Sequence, residues 1–258
     1  MKAFSIGEAF SFAREYTVVG IKKAWKLFCL QWILAFGGLI FNLKGTAFLP
    51  SSKPLLFGFL GWAIYFMTLC FSTYVVYVLI RVFYEQLSSA SLSRDSWTRI
   101  AEKIWAIAVA GIITGMVTTF GLLLLILPGL YIGARLCLFT YFICIKESGI
   151  KESLAASFKA TKDNAIRLIV LLLLLMLLYA STYGIVWLLV KGLFSPLLFW
   201  LTGWLVGDAW AIVFTAAVGQ VLSIFLMVPF SLAVFTHVFY QLTRLQERKE
   251  PLVDEKAL

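Results

Sequence analysis

Arg135 is the one charged residue inside an apolar run, six positions after Gly129 in the stretch GLLLLILPGLYIGARLCLFTYFICIK that begins at Gly121. At ~1.5 Å per helical residue it lies about 9 Å from the Pro128-Gly129 break, which reads as an outer turn. A guanidinium at such a depth has two outlets. Its long side chain can snorkel to the outer headgroups, or it can hold an anion in a pocket beneath the Pro128-Gly129 turn, because its planar fork binds two oxygens at once. The candidate anions are the carboxylate of Asp208, the acidic residue expected on that side, and a lipid phosphate. An unpaired charge there costs ~2.5 to 3.5 kcal/mol on insertion scales, so a partner stabilises the fold whichever it is.

Other residue types offer little chemistry. The single histidine, His237, stands at the end of the last apolar run, and no aspartate or glutamate interrupts any such run. Hydrolysis of a phosphodiester needs a metal or a cluster of acids and bases in a wet cleft, and His237 reads instead as an interfacial packing residue. There is no phosphate-binding loop, dinucleotide turn, nucleophile elbow or zinc spacing. Cys29, Cys70, Cys137 and Cys144 lie in or beside apolar runs without metal or redox spacing, as small packing residues do. The sequence therefore assigns no catalytic residue, no metal site and no cofactor, and it reads as a non-enzyme.

The elements that must position Arg135 follow from composition. With 62% hydrophobic and 14% charged residues and a mean hydropathy of +0.94, 258 residues carry too little polar surface to cover a soluble core. A bilayer core takes ~20 apolar residues per helix. Six windows approach that length without an internal charge pair, at about 27 to 41, 55 to 80, 104 to 126, 130 to 145, 168 to 190 and 211 to 236. The expected fold is an all-α polytopic membrane bundle of six transmembrane helices, a single domain over 1–258 with a short cytoplasmic tail from 243.

The net charge of +9 is a topology signal rather than a nucleic-acid one. Of the 22 basic residues, only Lys44, Lys53 and Lys191 fall in the outer connections and Arg135 in a run; the others fall before, between and after the hairpins. By the positive-inside rule both termini are cytoplasmic, and the basic face meets anionic lipid headgroups. Glu8, Arg14 and Glu15 speak against a cleavable signal at the start.

Each hairpin is preceded by an amphipathic segment, giving three units of about 5–87, 93–146 and 149–242. Ser5-Ile6-Gly7-Glu8 has the form of a capping box, and Asp95 can cap the second segment. In the third, Ile150, Leu154 and Phe158 form an apolar stripe opposite Lys151, Lys159 and Lys162, which are the expected inner-leaflet contacts. Small residues four apart, Gly111 and Gly115 continued by Thr119, and Gly219 in the last run, are expected to pack helices closely. Phe199, Trp200, Trp204 and Trp210 around Asp208 read as an outer aromatic belt, and Pro229 as a kink. The outer two units also share residues: Ile6-Gly7-Glu8 with Ile150-Lys151-Glu152, and Arg81-Val82-Phe83-Tyr84 with His237-Val238-Phe239-Tyr240.

Leu127-Pro128-Gly129, Arg135, Glu152-Ser153-Leu154 with Ser157, and Phe239-Tyr240-Gln241-Leu242-Thr243-Arg244 together resemble the YciC family of bacterial inner-membrane proteins. That family is similar in pattern to the membrane domain attached to some glycerophosphodiester phosphodiesterases. The resemblance covers nearly the whole chain and implies six spans and an inner-membrane location without an established activity. The chain departs from the pattern at Phe139-Thr140-Tyr141, where a proline is expected, and at Gln241, where an acid is expected. Two functions are left in view: a lipid-associated accessory or structural protein of the envelope, with a membrane-protein partner admitted, or a small permease for lipid or another small molecule.

Overall fold

The computed structural model describes residues 4–47, 54–88, 96–190, 192, 196 and 218–247, and for 36, 38–47, 54–60 and 246–247 the backbone alone. The described residues are helical, with no strand. Eight α-helices are used below: α1 Ile6–Ala47, α2 Pro54–Ser88, α3 Trp97–Leu124, α4 Ile126–Leu136, α5 Phe139–Lys146, α6 Ile150–Ala160, α7 Ala165–Leu189 and α8 Val228–Glu247. Among the described residues, five stretches are long and apolar enough to cross a membrane: Gly61–Ser88, Trp97–Leu124, Ile126–Lys146, Lys162–Leu189 and Val218–Leu245. Helices of this kind suggest an integral, multi-pass membrane protein, because a bilayer leaves backbone polar groups no partner but their own helix. The first expected window, 27 to 41, lies in α1 and is not among the five.

The expected amphipathic segment and first apolar run form one continuous helix, since no proline interrupts Ile6–Ala47. The Ser5 hydroxyl accepts the Glu8 N–H at 3.4 Å, as the capping box requires. The second segment is capped by Ser96, whose side chain accepts from the Arg99 N–H; Asp95 lies outside the described residues.

The chain forms two compact units. The first takes the N-terminal part to Ala24, Cys70–Leu172 and the chain from Phe230; the second takes Trp25–Leu69 and Leu173–Pro229. In the first unit, Ala9, Ala13 and Thr17 turn inward from α1, while the Phe12 ring stacks on His237 at 5.3 Å. A Cβ on Gly20 would fall 2.6 Å from the Phe83 ring, so the ring packs directly on backbone there. Tyr141 and Phe142 close on Phe239 at 5.5 and 5.0 Å, and the Tyr141 hydroxyl donates to the Leu232 carbonyl at 3.1 Å. In the second unit, Phe28 meets Phe225 at 5.5 Å, and Val186 and Val190 pack on Val218 and Leu222. Gly219 lies under the Tyr183 ring, where a Cβ would come within 2.5 Å. Just before Pro229, where the sequence leads one to expect a kink, the helix takes a π-helical turn, Ser223–Met227, whose wider loop closes with the Val228 N–H on the Ser223 carbonyl. Pro229 is the second residue of α8, directly after that turn.

Candidate functional site: the Arg135 clamp

The hairpin that carries Arg135 reverses at Leu125, three residues before Pro128. Leu125 is the single extended residue between α3 and α4 (φ −159°, ψ 132°), and its N–H bonds the Gly121 carbonyl at 3.0 Å. Pro128 and Gly129 sit in the first turn of α4, a position that tolerates proline because N–H groups there are open anyway. Gly129 is glycine because α3 presses on it: a Cβ would fall 2.4 Å from the Leu122 nitrogen and 2.7 Å from its Cα. A Cβ on Gly121 would fall 2.9 Å from the Gly129 Cα, and one on Gly133 would fall 3.2 Å from the Thr118 methyl. The hairpin thus closes through Gly121, Gly129 and Gly133. Among the described residues, Gly115 has nothing within 4 Å of a Cβ, Thr119 is exposed, and Gly111 meets only the edge of Phe139 at 4.0 Å. The close α3 and α4 contact lies on the face a quarter-turn from the expected one.

Arg135 is the last-turn cation of α4 and is 4% exposed. Its guanidinium is taken up by protein groups. Nε donates to the Phe158 carbonyl at 3.2 Å, Nη2 donates to the same oxygen, and Nη1 donates to the Tyr131 hydroxyl at 2.6 Å. The Phe158 ring lies over the guanidinium, 3.7 Å from Cζ to centroid, a cation–π contact. Asp208, the acid expected as partner, lies outside the described residues, and among the described residues no carboxylate pairs with Arg135. The negative partner is the C-terminal end of α6, where unbonded carbonyls carry about half an elementary charge.

The clamp is reciprocal. Between α4 and α5 the helix breaks at Cys137-Leu138, and there the Arg135 carbonyl accepts the Ser157 hydroxyl at 2.9 Å and the Thr161 hydroxyl at 3.1 Å. Arg135 therefore holds α6 by its side chain while α6 holds Arg135 by its backbone. The turn that brings α6 back along α5 is local chemistry. Glu147 takes a left-handed conformation (φ 54°), the Ser148 N–H closes on the Phe142 carbonyl at 3.4 Å, and the Glu152 carboxylate accepts the Gly149 N–H at 3.3 Å. At the far end Lys103 and Glu147 pair at 2.9 Å across α3 and α5.

The inward face of α6 is Ser153, Ser157 and Ala160, continued by Thr161; the stripe of Ile150, Leu154 and Phe158 is not buried, and Phe158 is 43% exposed. Small hydroxyl side chains let two helices approach and hydrogen-bond carbonyls across the contact, which a leucine stripe cannot do. Lys151, Lys159 and Lys162 are exposed on the opposite side. The missed signal was Ser153-x-x-x-Ser157-x-x-x-Thr161, which matches Ala9-x-x-x-Ala13-x-x-x-Thr17 when Ile150-Lys151-Glu152 is aligned with Ile6-Gly7-Glu8. A second missed signal is tyrosine four residues before arginine. Tyr77 accepts from Arg81 at 2.6 Å as Tyr131 does from Arg135, and Arg244 lies 4.4 Å over the Tyr240 ring.

No protein-family model matches this chain, and no curated protein or solved structure matches it.

Proposed function

We propose that this protein is a non-enzymatic component of the inner, cytoplasmic membrane, with six membrane helices in three hairpins and both termini in the cytoplasm. Its role is that of a lipid-associated accessory or structural protein of the envelope, and the YciC resemblance belongs to the same proposal. The observation that supports it is the use made of Arg135. The one charge in an apolar run serves to fix α6 against the hairpin, and so sets Lys151, Lys159 and Lys162 facing outward. Lysines near a membrane surface gain about 1 kcal/mol each from anionic lipid. Anionic phospholipid is the proposed partner, a membrane protein a second one, and no cofactor or nucleic acid is part of the reading. Native mass spectrometry of the purified protein tests it: bound anionic phospholipid should fall several-fold in a Lys151→Gln, Lys159→Gln, Lys162→Gln variant. Unchanged bound lipid overturns it.

A permease is the second reading, favoured by the second unit. There the π-helical turn brings Ser223 within 2.6 Å of the Tyr179 hydroxyl, and Thr182 donates to the Met227 sulfur at 3.8 Å, polar contacts inside apolar helices. Flux through proteoliposomes that depends on Tyr179 and Ser223 would replace the accessory role.

A further inference from the structure

The tip of the α3 and α4 hairpin is built for hydrocarbon rather than for an outer surface. From Phe120 to Leu130 the chain has no polar side chain, and Leu123–Leu127 are 67 to 81% exposed in the protein. Its backbone leaves few groups for water. The reversal takes one residue, Pro128 has no N–H, and the Gly129 N–H bonds the Leu125 carbonyl at 3.3 Å. An apolar surface of this kind, with minimal open backbone, belongs among acyl chains.

How far the tip reaches is set by α6. Ser157, Phe158 and Thr161 all bond residue 135, so the exposed Lys159 and Lys162 lie within about a helical turn of Arg135 along the hairpin. Exposed ammonium groups stay at or outside the headgroup boundary, which places that boundary level with Arg135 or nearer the tip on the α6 side. From Arg135 to Leu125 is only ~15 Å of helix, roughly half of a ~30 Å hydrocarbon core. Length and composition alone make Ile126–Lys146 a crossing helix, but α5, which has α6 and its lysines running beside it, cannot contribute to the depth.

We infer that α3 and α4 form a re-entrant hairpin: it enters the bilayer from the face that carries the α6 lysines, and its leucine tip ends near the midplane, embedded in lipid acyl chains. The middle hairpin then anchors the protein in one leaflet without crossing, in place of the second of the three crossing hairpins of the six-span reading. The inference needs only that exposed lysines avoid hydrocarbon, so it stands apart from the lipid-association reading.

Single cysteines at Leu124, Leu125 and Lys159, in a full-length chain with Cys29, Cys70, Cys137 and Cys144 replaced, test it with a membrane-impermeant maleimide. Lys159→Cys should label from one side only. Leu124→Cys and Leu125→Cys should label from neither side of the membrane and fully after denaturation. Nitroxide labels on the same two tip residues should show high collision rates with oxygen, low rates with a nickel chelate, and a depth near the bilayer centre. Maleimide labelling of Leu125→Cys from the side opposite Lys159→Cys overturns the inference, because the hairpin then crosses. Labelling from the same side overturns it as well, because the tip is then not inserted. A headgroup depth for the nitroxide has the same force, and Leu124→Cys serves where Leu125→Cys fails to fold.

Discussion

A guanidinium that is 4% exposed with no carboxylate beside it, among the described residues, depends on a carbonyl for its negative partner, and α6 supplies it at Phe158. Arg135→Leu removes three donors at once and leaves the Phe158 carbonyl only a long contact from the Thr161 hydroxyl at 3.5 Å, a loss on the order of 1 to 3 kcal/mol. Arg135→Lys keeps the charge but loses the fork that reaches Phe158 and Tyr131 together, and should recover only part of the loss. Ser157→Ala and Thr161→Ala should each do little, because either hydroxyl alone still serves the Arg135 carbonyl, whereas the double change should cost more than the two singles combined. Thermal unfolding in detergent checks the whole set, and a harmless Arg135→Leu would show that the clamp does not hold α6. That Arg135 mattered was legible, since a lone charge in an apolar run needs an answer. Its partner was not legible, because that partner is a backbone carbonyl, which every residue carries.

At the scale of the element, close helix contact was legible as a tendency of the chain but not as a set of positions. Gly111 and Gly115 have the spacing of a packing face, yet Gly121, Gly129 and Gly133 do the packing, because the site of chain reversal sets the register of the two helices. Gly129→Ala forces a methyl onto the backbone of Leu122, which cannot move aside, and should cost at least the ~1 to 3 kcal/mol typical of overpacking. Gly115→Ala meets nothing and should be neutral or slightly stabilising through helix propensity, by up to ~1 kcal/mol. The fraction of monodisperse protein after heating in detergent separates the two, and equal behaviour would contradict the hairpin register. In α6 hydrophobicity marks Ile150, Leu154 and Phe158, but the residues buried in the protein are Ser153, Ser157 and Ala160. Burial there follows hydrogen bonding and small size instead, so serine outranks leucine.

For the whole molecule, the uneven distribution of basic residues predicts orientation without any contact. A reporter active only outside the cytoplasm should be active when fused at Ser51 or Gly203 and silent at Ser157 or after Leu258. Activity at Leu258 would overturn the proposed orientation. The three sequential units expected from the repeat describe how the chain is ordered. The compact units instead gather distant pieces, with the Glu8 carboxylate accepting from the Gln241 amide at 2.9 Å and the Arg167 guanidinium donating to the Phe4 carbonyl at 3.0 Å.

Composition and apolar run length by themselves determined that this is a helical, multi-pass membrane protein, because the cost of placing unpaired backbone or charge in hydrocarbon depends only on residue type and count. The local caps were equally a matter of sequence: Ser5 and Glu152 act within three residues of themselves. Only the tertiary structure decided which face of α6 turns inward, what answers Arg135 and how far the leucine hairpin extends past α6. Each of those depends on which backbone carbonyls come to face which side chains once two helices are set antiparallel. That register is fixed by a single extended residue, Leu125, whose neighbours on both sides are leucine or isoleucine and carry no mark of the turn.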